Sequence, residues 1–241
     1  MRILSIDTSA IASAALISVT DGSPATVVAG FATEDTRSHA EVLAPGIDSL
    51  FADPVAEGPQ LHAIVVGVGP GPFTGLRSGI AMARTLSFAW NVPLHGMMSL
   101  DALAWDVLAA SYKHADVAAV IAAGTQHLDG DFVIATDARR KEVYWARYSR
   151  EGRLRDGPHV GPAADVPALP VFGKGAGLYA DTLEALGCAV DPGFAGAQPT
   201  AASLGLAAAV VLQKGEPLPG STPLYLRESD AQVPGPRKRA L

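Results

Sequence analysis

Hydrophobic positions along the chain switch several times between apolar runs of strand length and the three-and-four spacing of helices, and these switches mark its elements. "RILSIDTS" (Arg2 to Ser9) and "ASAALISV" (Ala12 to Val19) are β-compatible runs around a short Ser/Ala turn, and Asp21-Gly22 after them is a turn signal. They predict a hairpin. "ATVVAGFAT" supplies a third strand. Ser38-His39-Ala40-Glu41 is a capping box, in which the Ser hydroxyl bonds the amide three residues on and the Glu carboxylate reaches back. The helix it opens carries Val42, Leu43, Ile47, Leu50 and Phe51 at helical spacing, with a kink expected at Pro45. "HAIVVGVG" (His62 to Gly69) predicts a buried strand, and a helix follows from about Gly75 to Trp90.

The order then partly repeats. "MSLDALAWDVLAASY" predicts a helix, "AAVIAAG" (118–124) a strand, and "DFVIATDARRKEVYWARYSREGR" two strands about a polar turn. "LPVFGKGA" reads as a strand feeding the helix "GLYADTLEALG", and "PTAASLGLAAAVVLQKG" as a last helix capped by Thr200. Two α/β lobes result, residues 1–102 and 103–199, packed without a long linker. The segment 227–241 reads as a mobile tail.

Composition narrows the functional options. With 241 residues, 49 % hydrophobic and 17 % charged, the chain can bury its cores without disulfides or structural metal. Its single cysteine, Cys188, has no partner for an internal disulfide, no CxxC or Cys/His cluster suggests zinc, and no run has the length of a membrane span. A soluble protein in the cytoplasm is expected. The balance of 18 Lys+Arg against 24 Asp+Glu, net −6, argues against broad attraction to nucleic acid, with "PGPRKRAL" the local exception.

Candidate chemistry centres on "GVGPGPFTGLRSGIAMARTL" (Gly67 to Leu86). It is not a Walker A loop, since Gly75 is followed by Leu76, and it fails the dinucleotide fingerprint because Thr74 stands where a glycine is required. Pro70 and Pro72 also lack the N–H groups on which a phosphate cradle depends. An anion at the helix start, assisted by Thr74 and Arg77, is the reading that survives. The helix itself has an apolar stripe, Leu76, Ile80, Ala83, Leu86 and Trp90, beside small residues Ser78, Gly79 and Ala81. Part of such a face packs inside the chain, and both helices are expected also to face a partner chain, since two lobes of this size cannot bury every apolar face shown.

The motifs "ILSIDTSA", "SHAEVLAP", "GVGPGPFTGLRSGIAMARTLS", "DARRKEVYWARY" and "PLYLRESDA", in this order, resemble the TsaB family, the Gcp-like (YeaZ-type) noncatalytic subunits of the bacterial machinery that makes threonylcarbamoyladenosine in ANN-decoding tRNA. The resemblance covers nearly the whole chain. It implies an actin-like ATPase fold of two ribonuclease-H-like lobes, with the last helix, about 200–215, returning to the first lobe. It further implies a heterodimer with the catalytic subunit TsaD, a homodimer when alone, the ATPase TsaE as a further partner, and contact with tRNA only through the complex. The expected interface is Ser38, His39, Val42 and Leu43 of the first helix with Phe73, Thr74, Leu76, Arg77, Gly79, Ile80, Ala83 and Arg84 of the second.

The residues also bear on catalysis. TsaD resembles a metal enzyme with His-x-x-x-His on the first helix; here His39 is followed at that spacing by Leu43, and His62, His95, His114, His127 and His159 form no chelating pattern. No metal site and no catalytic residue are expected. The fold's nucleotide cleft would use Asp7, Thr8 and Ser9 from the first lobe, but Asp137-Ala138-Arg139-Arg140 replaces the glycine-rich turn of the second. Arg139 and Arg140 either pair with Asp7 or Asp137 or grip an anion such as a phosphate or tRNA. Gly173 and Gly175 either take a base or ribose or serve as a strand-to-helix turn. No cofactor is expected, ATP or ADP being the ligand such a vestigial cleft would hold. Rival readings are an autonomous ATPase of this fold and a glycopeptidase-type metalloprotease.

Overall fold

The computed structural model describes residues 1–20, 22–33, 39–111 and 130–227. Ser38 with its capping box, the strand expected over 118–124 and the tail from 228 lie outside them, as do the side chains of His39 and Ala40. The N-terminal apolar runs pair antiparallel as β1 (Arg2–Asp7) and β2 (Ser13–Ser18), in a register that sets Ile3 against Ile17 and Asp7 against Ser13. β3 (Thr26–Ala32) extends the meander, while β4 (Ala63–Gly67) and β5 (Leu94–Met97) add in parallel on the other side, giving the order β3-β2-β1-β4-β5. The second sheet repeats this plan. β6 (Phe132–Asp137), β7 (Val143–Tyr148), β8 (Leu154–Gly161), β9 (Pro170–Phe172) and β10 (Ala189–Val190) run in the order β10-β9-β6-β7-β8, an antiparallel meander followed by two parallel strands.

The first sheet is covered on both faces, which is why its strands read as continuous apolar runs. Leu4 and Ile6 of β1 turn toward α1 (His39–Asp48) and α3 (Phe73–Trp90), beyond the short α2 (Pro54–Glu57). Ile3, one position out of phase, packs against α7 (Ala201–Gln213) on the other face. α4 (Ser99–Ser111) serves both lobes: Ala102 joins the α7 cluster, whereas Leu100, Leu103, Ala104 and Val107 pack on Phe132, Ile134, Ala146 and Tyr148 of the second sheet. The other face of that sheet is closed by α5 (Lys174–Leu178) and α6 (Ala180–Ala185) through Ala176 and Leu183. Thr200 caps α7 as expected, its side chain accepting from Ser203 N at 3.2 Å. α7 is then fastened to the sheet, with Ser5 Oγ donating to Ala201 O at 2.6 Å and Ala201 N donating to Ser13 Oγ at 2.9 Å.

Several boundaries differ from the sequence reading. α1 continues through Pro45 to Asp48. α3 begins at Phe73 rather than near Gly75, because Pro72 occupies the cap position and the last proline of the corner is therefore already outside the helix. The strand expected over 169–176 is only Pro170–Phe172, since Gly173, at φ 105°, breaks it and α5 starts at once. Strands β5, β8 and β10 were not foreseen. β8 is a half-exposed edge carrying Pro158, and β5 is four residues long, so neither shows a Val/Ile run.

Candidate functional site

The β1–β2 turn and the glycine-rich corner build one buried polar cluster. Asp7, at the end of β1, is fully buried, and its Oδ1 accepts from Ser9 N at 2.9 Å and Ser9 Oγ at 2.7 Å. Its Oδ2 accepts from Ser99 Oγ at 2.6 Å, from the first residue of α4. Ser99 in turn accepts from Gly69 N at 3.2 Å and donates its own amide to Gly69 O at 2.8 Å, so the corner is held by the same residue that satisfies Asp7. Gly67 has to be glycine: a Cβ there would strike the Asp7 carboxylate. Thr8 completes the arrangement by donating to Gly75 O at 2.8 Å, which seats the first turn of α3 on the β1–β2 turn. The corner is thus a packing joint that aims α3.

The second lobe has the equivalent turn without the equivalent closure. Asp137 ends β6 as Asp7 ends β1, and its Oδ1 accepts from Arg139 N at 2.8 Å, the same bond two residues on. Arg139, Arg140 and Lys141 then occupy three successive left-handed positions, φ 60°, 54° and 62°, and all three are exposed. Arg139 Nη1 pairs with Asp137 at 3.2 Å, which selects the Asp137 partner of the two weighed for it from the sequence. Gly173 and Gly175 serve close packing: a Cβ on Gly173 would lie 2.5 Å from Ala135 O, and one on Gly175 2.8 Å from Thr136 O, so α5 rests directly on the backbone of β6.

An actin-like fold implies a nucleotide and its metal between these two turns, and the residues present do not fit that group. A phosphate-bound cation needs carboxylate oxygens that face the cleft, but those of Asp7 are buried and engaged by Ser9 and Ser99. The described residues contain no group of three or more His, Cys, Asp or Glu placed to hold a metal ion. Cys188 is buried, its thiol directed at Pro167 O at 3.5 Å.

Part of the expected partner face is buried within the chain itself. Leu43, Leu76, Ile80 and Ala83 are at most 4 % exposed in the first lobe's own core, and Gly79 lies against Thr8, where a Cβ would meet the Thr8 hydroxyl. The small-residue face of α3 is therefore used inside the chain, to let the helix approach the β1–β2 turn. What α3 turns outward is Thr74, Arg77, Ala81, Arg84, Thr85 and Phe88, the last with 90 % of its surface exposed. Phe73 and, on α1, Val42 are half-buried beside them. Both of these cations are already engaged: the Arg77 guanidinium stacks on Phe73, 3.7 Å from the ring centre, and Arg84 donates to Ser221 O at 2.8 Å.

One site went unseen in the sequence. Asp101, in the first turn of α4, accepts a 2.8 Å bond from the Tyr148 hydroxyl of β7. Burial pushes its carboxyl up to about 6, against a smaller lowering by the Tyr148 bond, and burial likewise raises the Tyr148 phenol. Only three-dimensional proximity joins these two residues, so no local spacing announces them.

Two sheets of identical strand order, sharing α4 and crossed by a returning α7, define an actin-like ATPase fold of two ribonuclease-H-like lobes. The same architecture is found in YeaZ from Pseudomonas aeruginosa, to which this chain is similar with a TM-score of 0.67 at 26 % identity, over 93 % of this chain and all of that one (100 %). The family model described as TsaD, tRNA N6-adenosine threonylcarbamoyltransferase, matches residues 27–210, and the chain belongs to that family. It is 39 % identical over 200 residues to an uncharacterized Mycobacterium tuberculosis protein, spanning 83 % of this chain and 80 % of that protein. It is also 31 % identical over 154 residues to the tRNA threonylcarbamoyladenosine biosynthesis protein TsaB of Bacillus subtilis, spanning 64 % of this chain and 58 % of that protein. No helix among the described residues is long and apolar enough to cross a membrane.

Proposed function

We propose that this chain acts in tRNA threonylcarbamoyladenosine synthesis as a noncatalytic subunit of the TsaB type, in the cytoplasm, pairing with TsaD and activating it. The observation that carries the noncatalytic part is the Asp7 cluster: the carboxylate that would serve a nucleotide-bound metal is spent on Ser9 and Ser99 and holds the glycine corner shut. The chain brings no cofactor of its own, TsaE is a further partner, and tRNA meets it only through the complex. The outer face of α3, with Phe88 as its apolar anchor and Thr74, Arg77, Ala81, Arg84 and Thr85 around it, is the docking surface, together with the exposed side of α1. Alone, the chain pairs with itself through the same face.

The test is tRNA threonylcarbamoylation by purified TsaD and TsaE with ATP and threonylcarbamoyl adenylate, with and without this chain, alongside light scattering of its mixture with TsaD. Modification that depends on the chain, with a heteromeric peak, is the expected result. Modification at full rate without it, and no complex, overturns the proposal. ATP hydrolysis by the isolated chain that disappears in Asp7→Asn would restore the autonomous ATPase, and metal-dependent peptide cleavage the glycopeptidase.

A further inference from the structure

The segment 216–227 has no helix or strand, yet it crosses the whole molecule and is fixed along its length. It starts at the edge of the first sheet, where Gly96 N of β5 donates to Pro219 O at 2.7 Å and the chain lies so close that a Cβ on Gly96 would strike the Gly220 carbonyl. It then runs beside α3. Arg84 Nε donates to Ser221 Oγ at 3.1 Å, Arg77 Nε donates to Tyr225 Oη at 3.2 Å, and the Tyr225 ring packs 4.7 Å from that of Phe73. Between these contacts Leu224 N donates to Val68 O at 2.7 Å, and the Leu224 side chain packs against the cores of both lobes. The segment ends on the second lobe. Arg227 Nη1 donates to Ala138 O at 2.9 Å, its guanidinium pairs with Glu142, and it lies over the Tyr144 ring. Ala138 and Glu142 are the two feet of the β6–β7 turn, joined to each other by a 3.0 Å bond from Ala138 N to Glu142 O.

Two-lobed folds of this kind move about their crossing points unless something else ties the lobes. Here α4 and the link into α7 are the crossings, and the segment, which follows α7 in the chain, is a third connection between the lobes. We propose that residues 216–227 are a strap that fixes the angle between the lobes, with Leu224 wedged at the joint and Arg227 as the latch on the β6–β7 turn. A guanidinium suits the task because it can satisfy a carbonyl and a carboxylate at once while stacking on a ring, which a lysine cannot do. The strap acts within one chain, so its test needs no partner.

Spin labels on Val55→Cys in the first lobe and Glu184→Cys in the second, in a Cys188→Ser background, report the distance between the lobes by pulsed electron resonance. Both labelled side chains are exposed and lie outside the strap in the sequence. The expected result is one narrow distribution for the otherwise unchanged protein and a distribution about twofold wider for Arg227→Ala, with Arg227→Lys in between and far-ultraviolet circular dichroism unchanged. Leu224→Ser should widen it further. Arg227 is half-buried and lies outside the hydrophobic cores of the lobes, so Arg227→Ala decides the question even if Leu224→Ser fails to fold. A distribution for Arg227→Ala that superimposes on the parent's overturns the strap.

Discussion

Asp101 is a carboxyl that this fold makes easier to protonate than it is in the unfolded chain. Its folded value of about 6, against an ordinary 3.8, means that between those pH values the folded chain binds a proton that the unfolded chain releases. Stability from this group is therefore greatest below 3.8, falls as the pH rises to about 6, and is then constant. Allowing for its partial exposure, the fall is on the order of 2 kcal/mol. Urea unfolding across this range should show that slope in the parent protein and lose it in Asp101→Asn, which keeps an acceptor for Tyr148; a slope that survives the substitution would assign it elsewhere. The Asp7 cluster instead surrounds a buried carboxyl with donors from Ser9 and Ser99. Ser99→Ala removes one donor from Asp7 and one acceptor from Gly69, so a loss of about 1–3 kcal/mol in the same measurement is expected, and a loss near zero would mean that water takes over the hydroxyl's bonds. Both clusters show where sequence reading stops at the residue scale. Asp7, Thr8 and Ser9 could be picked out through the family resemblance, but Ser99 is 92 positions from Asp7 and Tyr148 is 47 from Asp101. No periodicity carries such distances.

At the scale of elements, α3 shows how one pattern can fit two kinds of neighbour. Its small residues and apolar stripe are plain in the sequence, and the choice between an internal and an external neighbour was not, because both need the same side chains. The β1–β2 turn decides it: Thr8 occupies the space over Gly79, and Leu76, Ile80 and Ala83 fill the core with Leu43. Gly79→Arg should therefore leave the chain unfolded or aggregated rather than folded and partnerless, as judged by circular dichroism; a normally folded Gly79→Arg would require the helix to sit elsewhere. The outer face should respond in the reverse sense. Ala81→Glu with Phe88→Ser touches only exposed positions, so stability should stay within about 0.5 kcal/mol of the parent while the chain ceases to assemble in light scattering. Assembly that survives the pair of substitutions would remove α3 from the docking surface. Elements with a strong local signature, such as β1, β2, β4 and the Thr200 cap of α7, were legible from the sequence. The short parallel strands and the strap were not, since they owe their form to neighbours already in place.

For the whole molecule, the repeated strand order suggests two independent lobes, but the packing of α4 argues otherwise. A helix that gives Ala102 to one core and Leu100, Leu103 and Val107 to another cannot leave either lobe without opening both. The parent chain should therefore unfold in one cooperative step, with amides of β1 and β6 losing hydrogen-exchange protection together. Leu103 is fully buried on the side of the second sheet, where truncation to alanine leaves a cavity and costs about 2–5 kcal/mol. That cost falls on the contact with β6 and leaves the α7 side of α4 intact. In Leu103→Ala the amide of Ile134 should then exchange well before that of Ile6, uncoupling lobes that unfolded as one. If instead both strands in the variant weaken by the same amount, the joint lies outside α4, and the strap between Val68 and Ala138 becomes the element that makes two lobes a single folding unit.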